Sequence, residues 1–461
     1  MAAHPTIRSE VETFMIEQGL TMQGFAERSG VNRGTLSAII NRNPPRKISV
    51  RELDHITEGM NLPAGTFYPL YLEEYFVQSV PHWRRLRPYF LSCAELGRID
   101  CIERLLGHLA DDLSNIPEIF TTAELLFADG FKEASAAMYK VVIDCEKFNF
   151  SERLAISRYR LFKLSLGMDA EANLWAAIRF EPSRGWLPID LQLDAIYELM
   201  KVYYSVHKWV QLEELSDELV SLAESVFSER KRPLEPGKRK TEPLQLQRSL
   251  IHYFGQGYLS KGMMLQKKGL YEEAKTFIAR YADLSWLMPE NPQEQEEVAK
   301  YRVWAEANSL TQDILLGRTE VLEDYTDYLL SNPAEVLPGL VTILQAANKY
   351  DFLIDDILQK FTCEIEDFQQ YKDSVTLERR MRFSIQLSMY YLHKSKFNEG
   401  IESCLLALEL SLLTNEHSVF ADAVALFESC RDVAGIHQIN RYKRMMEQVR
   451  IKTGLKYSVQ T

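Results

Sequence analysis

Residues 21–41 read TMQGFAERSGVNRGTLSAIIN, and this stretch decides how the amino-terminal part of the chain folds. Its spacing predicts a helix, a turn and a second helix. Thr21 suits the cap of the first helix, because its hydroxyl can accept from an N–H left free in the first turn. Phe25 and Ala26 face inward, and Ala26 is small enough to let another helix come close. Gly30 supplies the left-handed backbone that a sharp exit from a helix needs. Val31 plugs the corner. Asn32 caps the second helix, and Leu36, Ile39 and Ile40 give it an apolar side. The opposite side carries Arg33, Thr35, Ser37 and Asn41, with Arg42 just beyond. Short hydrogen-bonding groups beside an arginine match the pattern that base edges offer in a DNA major groove.

Outward from this stretch, Arg28, Arg33, Arg42, Arg46, Lys47 and Arg51 follow one another with no acidic residue between Arg28 and Arg51. Such a patch is the footprint expected of phosphate contacts. The candidate DNA-binding residues are therefore Arg28, Asn32, Arg33, Thr35, Ser37, Asn41, Arg42 and Lys47. Arg33, Thr35, Ser37 and Asn41 are assigned to bases, and Arg28, Arg42 and Lys47 to phosphates. The competing reading is a helical hairpin that touches no nucleic acid. Leu20-Thr21, Phe25-Ala26, Gly30-Val31, Thr35-Leu36-Ser37 and Asn41 resemble the Cro/repressor (XRE) helix-turn-helix family. Met22 departs from it, standing where the family often carries glutamine. The resemblance implies a double-stranded DNA operator as partner.

The chain has 461 residues and a formal net charge of −12, with 46% hydrophobic residues. Residues 1–92 hold ten Lys/Arg against nine Asp/Glu, so nearly all the negative charge lies beyond them. An acidic bulk disfavours non-specific coating of nucleic acid and confines DNA contact to a small module. No apolar run is long enough for a membrane span, and MAAHPTIRSE lacks a signal core, so a cytoplasmic protein is expected. Cys93, Cys101, Cys145, Cys363, Cys404 and Cys430 are scattered without a Cys-x-x-Cys, which reads as buried free thiols.

Helical periodicity runs through the chain and no useful strand pattern appears. The fold class expected is all-α. A five-helix helix-turn-helix domain occupies 1–72, and a linker or support helix follows at 73–92. A repeat array fills 93–415, and a terminal helix pair closes the chain at 416–461. In the linker, Arg84, Arg85 and Arg87 either reach phosphate or lay their stems over apolar surface. The array shows about nine helix pairs joined by turns of one type. The turn at Gly269-Leu270-Tyr271-Glu272-Glu273-Ala274 is the clearest. Asp129–Ala134 and Ser395–Gly400 are related, and His207-Lys208-Trp209 and Asn348-Lys349-Tyr350 are weaker copies. In each, a small or polar residue ends one helix, an aromatic packs two positions on, and a small residue then lets the second helix sit close. This resembles the tetratricopeptide repeat, which implies a right-handed superhelix with a concave inner wall.

Residues 228–243, SERKRPLEPGKRKTEP, interrupt the array with three prolines, one glycine and six basic residues, and read as an exposed insertion. In the terminal pair, Phe420, Val424, Leu426, Phe427, Ile436, Ile439, Met445, Met446 and Val449 are more apolar than a solvated cap requires. They point to a homodimer interface.

No zinc-protease, Walker, dinucleotide-binding or nucleophile-elbow motif is present, and the histidines lack metal spacing. An enzyme, a cofactor or a metal is not expected. The repeat register instead places Asp194, Tyr197, Glu198, Lys201 and Tyr204 on an inner wall. It adds Gln256, Met263 and Gln266, then Trp304, Asn308 and Thr311, then Arg382, Gln386 and His393. The candidate peptide-binding residues among them are Tyr197, Glu198, Lys201, Tyr204, Gln256, Gln266, Trp304, Asn308, Arg382 and Gln386. Amides pair with an extended peptide backbone, aromatics supply apolar walls, and charges read ends and side chains. Each position has an alternative role in inter-helix packing.

A Cro-like module followed by such an array resembles the RRNPP regulators, cytosolic peptide receptors of Gram-positive bacteria of the Rap, NprR, PlcR and PrgX types. Arbitrium receptors of the AimR type are the nearest group. The resemblance implies a homodimeric transcription regulator whose DNA affinity is set by a short linear signalling peptide. It also implies an inner-helix asparagine that clamps the peptide backbone, with Asn308 the best match. Two other readings stay open: a Rap-like array that docks and inhibits a protein, and a repressor without a ligand.

Overall fold

The structure is a computed structural model that describes residues 5–44, 46–77, 82–146, 151–231, 244–367, 374–414 and 417–452. Every regular element among the described residues is helical, and none is a strand. No helix among them is long and apolar enough to cross a membrane. By contact the chain divides into two compact units, Met1–Glu218 with Arg230–Arg248, and Leu219–Glu229 with Ser249–Thr461.

The first unit begins with helices Ile7–Glu17, Met22–Ser29, Arg33–Ile40, Val50–Gly59 and Tyr68–Leu72. Their starts follow from local chemistry. Thr6 caps the first helix in a capping box with Ser9, and Thr21 Oγ1 accepts from the Gly24 N–H at 3.1 Å. Asn32 Oδ1 accepts from the Gly34 N–H at 2.8 Å, and Ser49 and Glu52 form a second capping box. Gly30 ends the second helix at φ +69°. The apolar sides then meet: Ile7, Val11, Phe25, Leu36, Ile39, Leu53 and Ile56 are all buried. Each such side chain contributes about 1.5–3 kcal/mol relative to exposure.

Residues 73–92 are helical where described. A π-helical turn, Glu73–Val77, is followed by helix Trp83–Glu95, which buries Leu86, Tyr89, Phe90 and Cys93 in the same core as the first five helices. The Tyr89 hydroxyl donates to the Tyr68 carbonyl at 3.0 Å, and Tyr71 to that of Ile48 at 2.8 Å. Arg87 pairs with Glu118, whereas Arg84 is exposed.

Beyond this point helices alternate with tight turns. Gly130, His207, Gly269 and Ser395 all have positive φ, at the turns where the sequence places a helix end. Asn348 does not close a helix. It lies inside Val336–Tyr350, and the left-handed residue is Asp351; a further turn of this kind falls at Gly317. The small residues after the turns are buried: Ala134, Ala274 and Gly400. Close approach recurs at Gly255 in helix Leu250–Lys267, where an added Cβ would fall 2.2 Å from the Tyr301 ring. Helix Trp209–Lys231 continues through Ser228–Lys231, which the sequence assigns to the insertion; residues 232–243 lie outside the described residues.

The second unit closes with helices Phe397–Thr414, His417–Ser429 and Ile436–Lys452. Phe427 and Met445 pack inward with Ile401, Leu405 and Tyr442. Val424, Leu426, Ile439, Met446 and Val449 are half-buried, and only Ile436 of the named apolar set is largely exposed, at 80%. Four of the six cysteines are buried; Cys145 is half-buried and Cys363 is exposed, against the expectation of uniformly buried thiols.

Candidate nucleic-acid and ligand sites

Helix Arg33–Ile40 buries Leu36, Ile39 and Ile40 and so turns its other side outward. Arg33, Asn32, Asn41 and Arg42 are exposed and Thr35 and Ser37 half-exposed. Asn41 Nδ2 donates to Ser37 Oγ at 3.3 Å, joining two of the candidate base-reading groups on one face. The cations around this face differ in how they are used. Arg46 pairs with Glu52 at 2.9 Å, and the Arg28 guanidinium lies 5.3 Å from the Phe14 ring centroid. Arg33, Arg42, Lys47 and Arg51 are exposed and make no ion pair with the described residues. A patch that keeps its charges unneutralised is available to phosphate. Met22, at the departing family position, is half-buried against the core, and Gln23 Nε2 donates to Glu27 at 2.7 Å.

The ligand candidates of the first unit lie on helix Ile189–Ser205. Asp194 is fully buried and Glu198 nearly so. Asp194 accepts from the Tyr159 hydroxyl at 2.5 Å, from Lys163 Nζ at 3.1 Å and from Arg248. Glu198 accepts from Arg248 Nη2 at 3.0 Å and from Lys201 Nζ at 2.7 Å. The Arg248 guanidinium also stands 4.8 Å from the Tyr197 ring centroid. Glu198, Lys201 and Tyr197 are thus members of one network around the buried Asp194 and Glu198 carboxylates and Arg248. Tyr204 is half-exposed and meets Trp209 edge-on. Sequence reasoning missed Arg248, which stands far from its partners along the chain and offers no local pattern.

The ligand candidates of the second unit come together differently. Gln266, Met263, Asn308 and Gln312 line one small cavity of about 40 Å³, with Tyr281 at its wall. Asn308 Nδ2 donates to the Tyr281 hydroxyl at 2.9 Å, and Gln312 Nε2 to Gln266 Oε1 at 2.6 Å. Gln312 Oε1 is buried and accepts no hydrogen bond. Burial pushes the Tyr281 phenol up to about 12. Burial, and then the Arg382 charge, lowers the Lys267 ammonium, against the Glu378 carboxylate that raises it. Gln312 is a site residue the sequence reading missed, although it lies one turn after Asn308 and therefore on the same helix face.

The remaining candidates are engaged locally. Gln256 Nε2 donates to the Tyr301 hydroxyl at 3.1 Å, and Gln386 accepts from Asn348 Nδ2 at 2.9 and 3.0 Å. Arg382 pairs with Glu378 at 2.8 Å. Trp304 packs edge-on with Tyr301 and under Lys300, 4.5 Å away. Thr311 bonds to the Tyr325 hydroxyl, and His393 is exposed.

No protein-family model and no curated protein matches the chain.

Proposed function

We propose that this protein is a DNA-binding transcription regulator, acting as a homodimer, whose operator binding responds to a short peptide held in its second unit. The observation that carries the DNA-binding part is the unneutralised group Arg33, Arg42, Lys47 and Arg51 around the polar side of helix Arg33–Ile40. A helix of eight residues presenting Arg33, Thr35, Ser37 and Asn41 is of the right size and chemistry for a major groove. Electrophoretic mobility shift on randomised duplexes, with and without Arg33→Ala, tests it.

For the peptide, the buried Gln312 Oε1 is an acceptor in search of a donor, and a backbone N–H is such a donor. Binding would exchange the Asn308–Tyr281 and Gln312–Gln266 bonds for bonds to the peptide. A second reading, a repressor with no ligand, draws support from those same bonds, since the amides are already largely satisfied. Calorimetry against peptides encoded near the gene separates the two.

A further inference from the structure

Helix Glu152–Ser165 carries Arg158, Leu161, Phe162 and Ser165 three and four positions apart, so the four share one face. Helix Ala170–Phe180 does the same with Ala176, Arg179 and Phe180. With Ile143 of helix Lys132–Glu146 and Pro182 of the turn Glu181–Trp186, they line a cavity of about 340 Å³ within the first unit. Most of its wall is apolar, and the Phe162 and Phe180 rings stack with centroids 5.1 Å apart. Its polar side chains are one serine and two arginines. Ser165 is used within its own helix, its hydroxyl donating to the Leu161 carbonyl at 2.7 Å. Arg158 Nη1 donates to the buried Ser183 Oγ at 2.7 Å, which fixes one edge of the guanidinium. Neither Arg158 nor Arg179 pairs with a carboxylate among the described residues. Glu181, between the Phe180 and Pro182 of the wall, is already held by the Tyr203 hydroxyl and by Arg184 at 3.8 Å.

We infer that this cavity binds a small monocarboxylate with an unbranched hydrocarbon tail, the tail against Phe162 and Phe180 and the carboxylate on Arg158 and Arg179. Guanidinium groups suit that head, because their planar fork donates two parallel N–H groups to a carboxylate. Small-molecule sites of about 300–1,000 Å³ have this make-up, a mostly apolar wall with a few polar groups that fix orientation. An inorganic anion would leave the apolar wall wet, and a neutral hydrocarbon would leave both guanidiniums unmatched. The site shares no residue with the polar face of helix Arg33–Ile40 or with the cavity at Asn308, so it stands independently of the DNA and peptide readings.

Calorimetry on the full chain with butanoate, hexanoate and octanoate, and with 1-octanol as the uncharged control, tests this. Each added methylene should tighten binding about fourfold, equivalent to about 0.8 kcal/mol. Octanoate should bind about tenfold or more tightly than 1-octanol. Arg158→Met and Arg179→Met keep an apolar stem and should each weaken octanoate about tenfold or more. Arg179 is exposed and bonds to no described residue, so its variant keeps the parent's melting temperature. Ala176→Phe leaves both arginines in place, fills the cavity and should abolish octanoate binding. No octanoate binding by the unaltered chain, equal affinity for octanoate and 1-octanol, or equal octanoate affinity in the parent and Arg179→Met would overturn the inference.

Discussion

A Cβ on Gly59 would stand 2.6 Å from the Cβ of Ser29, so helices Met22–Ser29 and Val50–Gly59 meet where only a hydrogen fits. Ser29 is itself fixed, its hydroxyl donating to the Phe25 carbonyl at 2.8 Å. Gly59→Ala should therefore force the two helices apart and cost about 1–3 kcal/mol. Urea denaturation measures it. An unchanged midpoint would mean that the contact yields without cost.

Lys47 is exposed and makes no ion pair with the described residues, which suits a phosphate contact. Lys47→Ala should weaken binding to all duplex sequences alike and reduce the slope of log affinity against log salt by about one. Fluorescence anisotropy at several salt concentrations reads both. A sequence-dependent loss would move Lys47 from the backbone to a base.

Arg248 serves two buried carboxylates, Asp194 and Glu198. Removing one partner of a buried pair costs up to about 3–5 kcal/mol, less here because Lys163 still holds Asp194 and Lys201 still holds Glu198. Arg248→Met should lower the thermal midpoint, and the double variant with Asp194→Asn should recover part of the loss. Independent effects of the two changes would argue that the network is not coupled.

Asn308 holds the buried Tyr281 hydroxyl. Asn308→Ala should cost about 1–3 kcal/mol of stability from the orphaned phenol. Under the receptor reading it should also weaken peptide binding roughly tenfold while leaving peptide-free DNA binding intact, a change of about 1.4 kcal/mol. Equal peptide affinity in both proteins would remove Asn308 from the site.

The carboxy-terminal helices leave a groove of about 640 Å³ lined by Leu412, Leu413, Met445 and Val449, with Leu413 77% exposed. If the homodimer forms here, Leu413→Glu with Ile436→Glu should give monomers in light scattering. Because Phe427 and Met445 belong to the internal core, deleting the whole segment would test folding rather than association. A dimer that survives both charges must be held elsewhere.

The amino-terminal helices were legible because their signals are local: Thr21, Gly30, Asn32 and Ser49 each act within one turn of where they stand. The turns at Gly130 and Gly269 were legible for the same reason, since a left-handed residue marks its own position. Asn348 misled because Asp351 adopts that backbone without being glycine. What the sequence hid is long-range. Arg248 reaches Asp194 across 54 positions, and Tyr301 lies on Gly255 across 46, distances at which periodicity carries no information. The pairing of the candidate ligand amides with Tyr281, Tyr301 and one another depends on helix stacking.

The most direct test of the central reading is selection of a preferred sequence from a randomised duplex pool by the full chain, repeated with Arg33→Ala. The account predicts enrichment of a two-fold related site by the unaltered protein and a relaxed or vanished preference in the variant. No enrichment, or the same enriched site from both proteins, would contradict the assignment of the Arg33–Ile40 face as the reader of DNA.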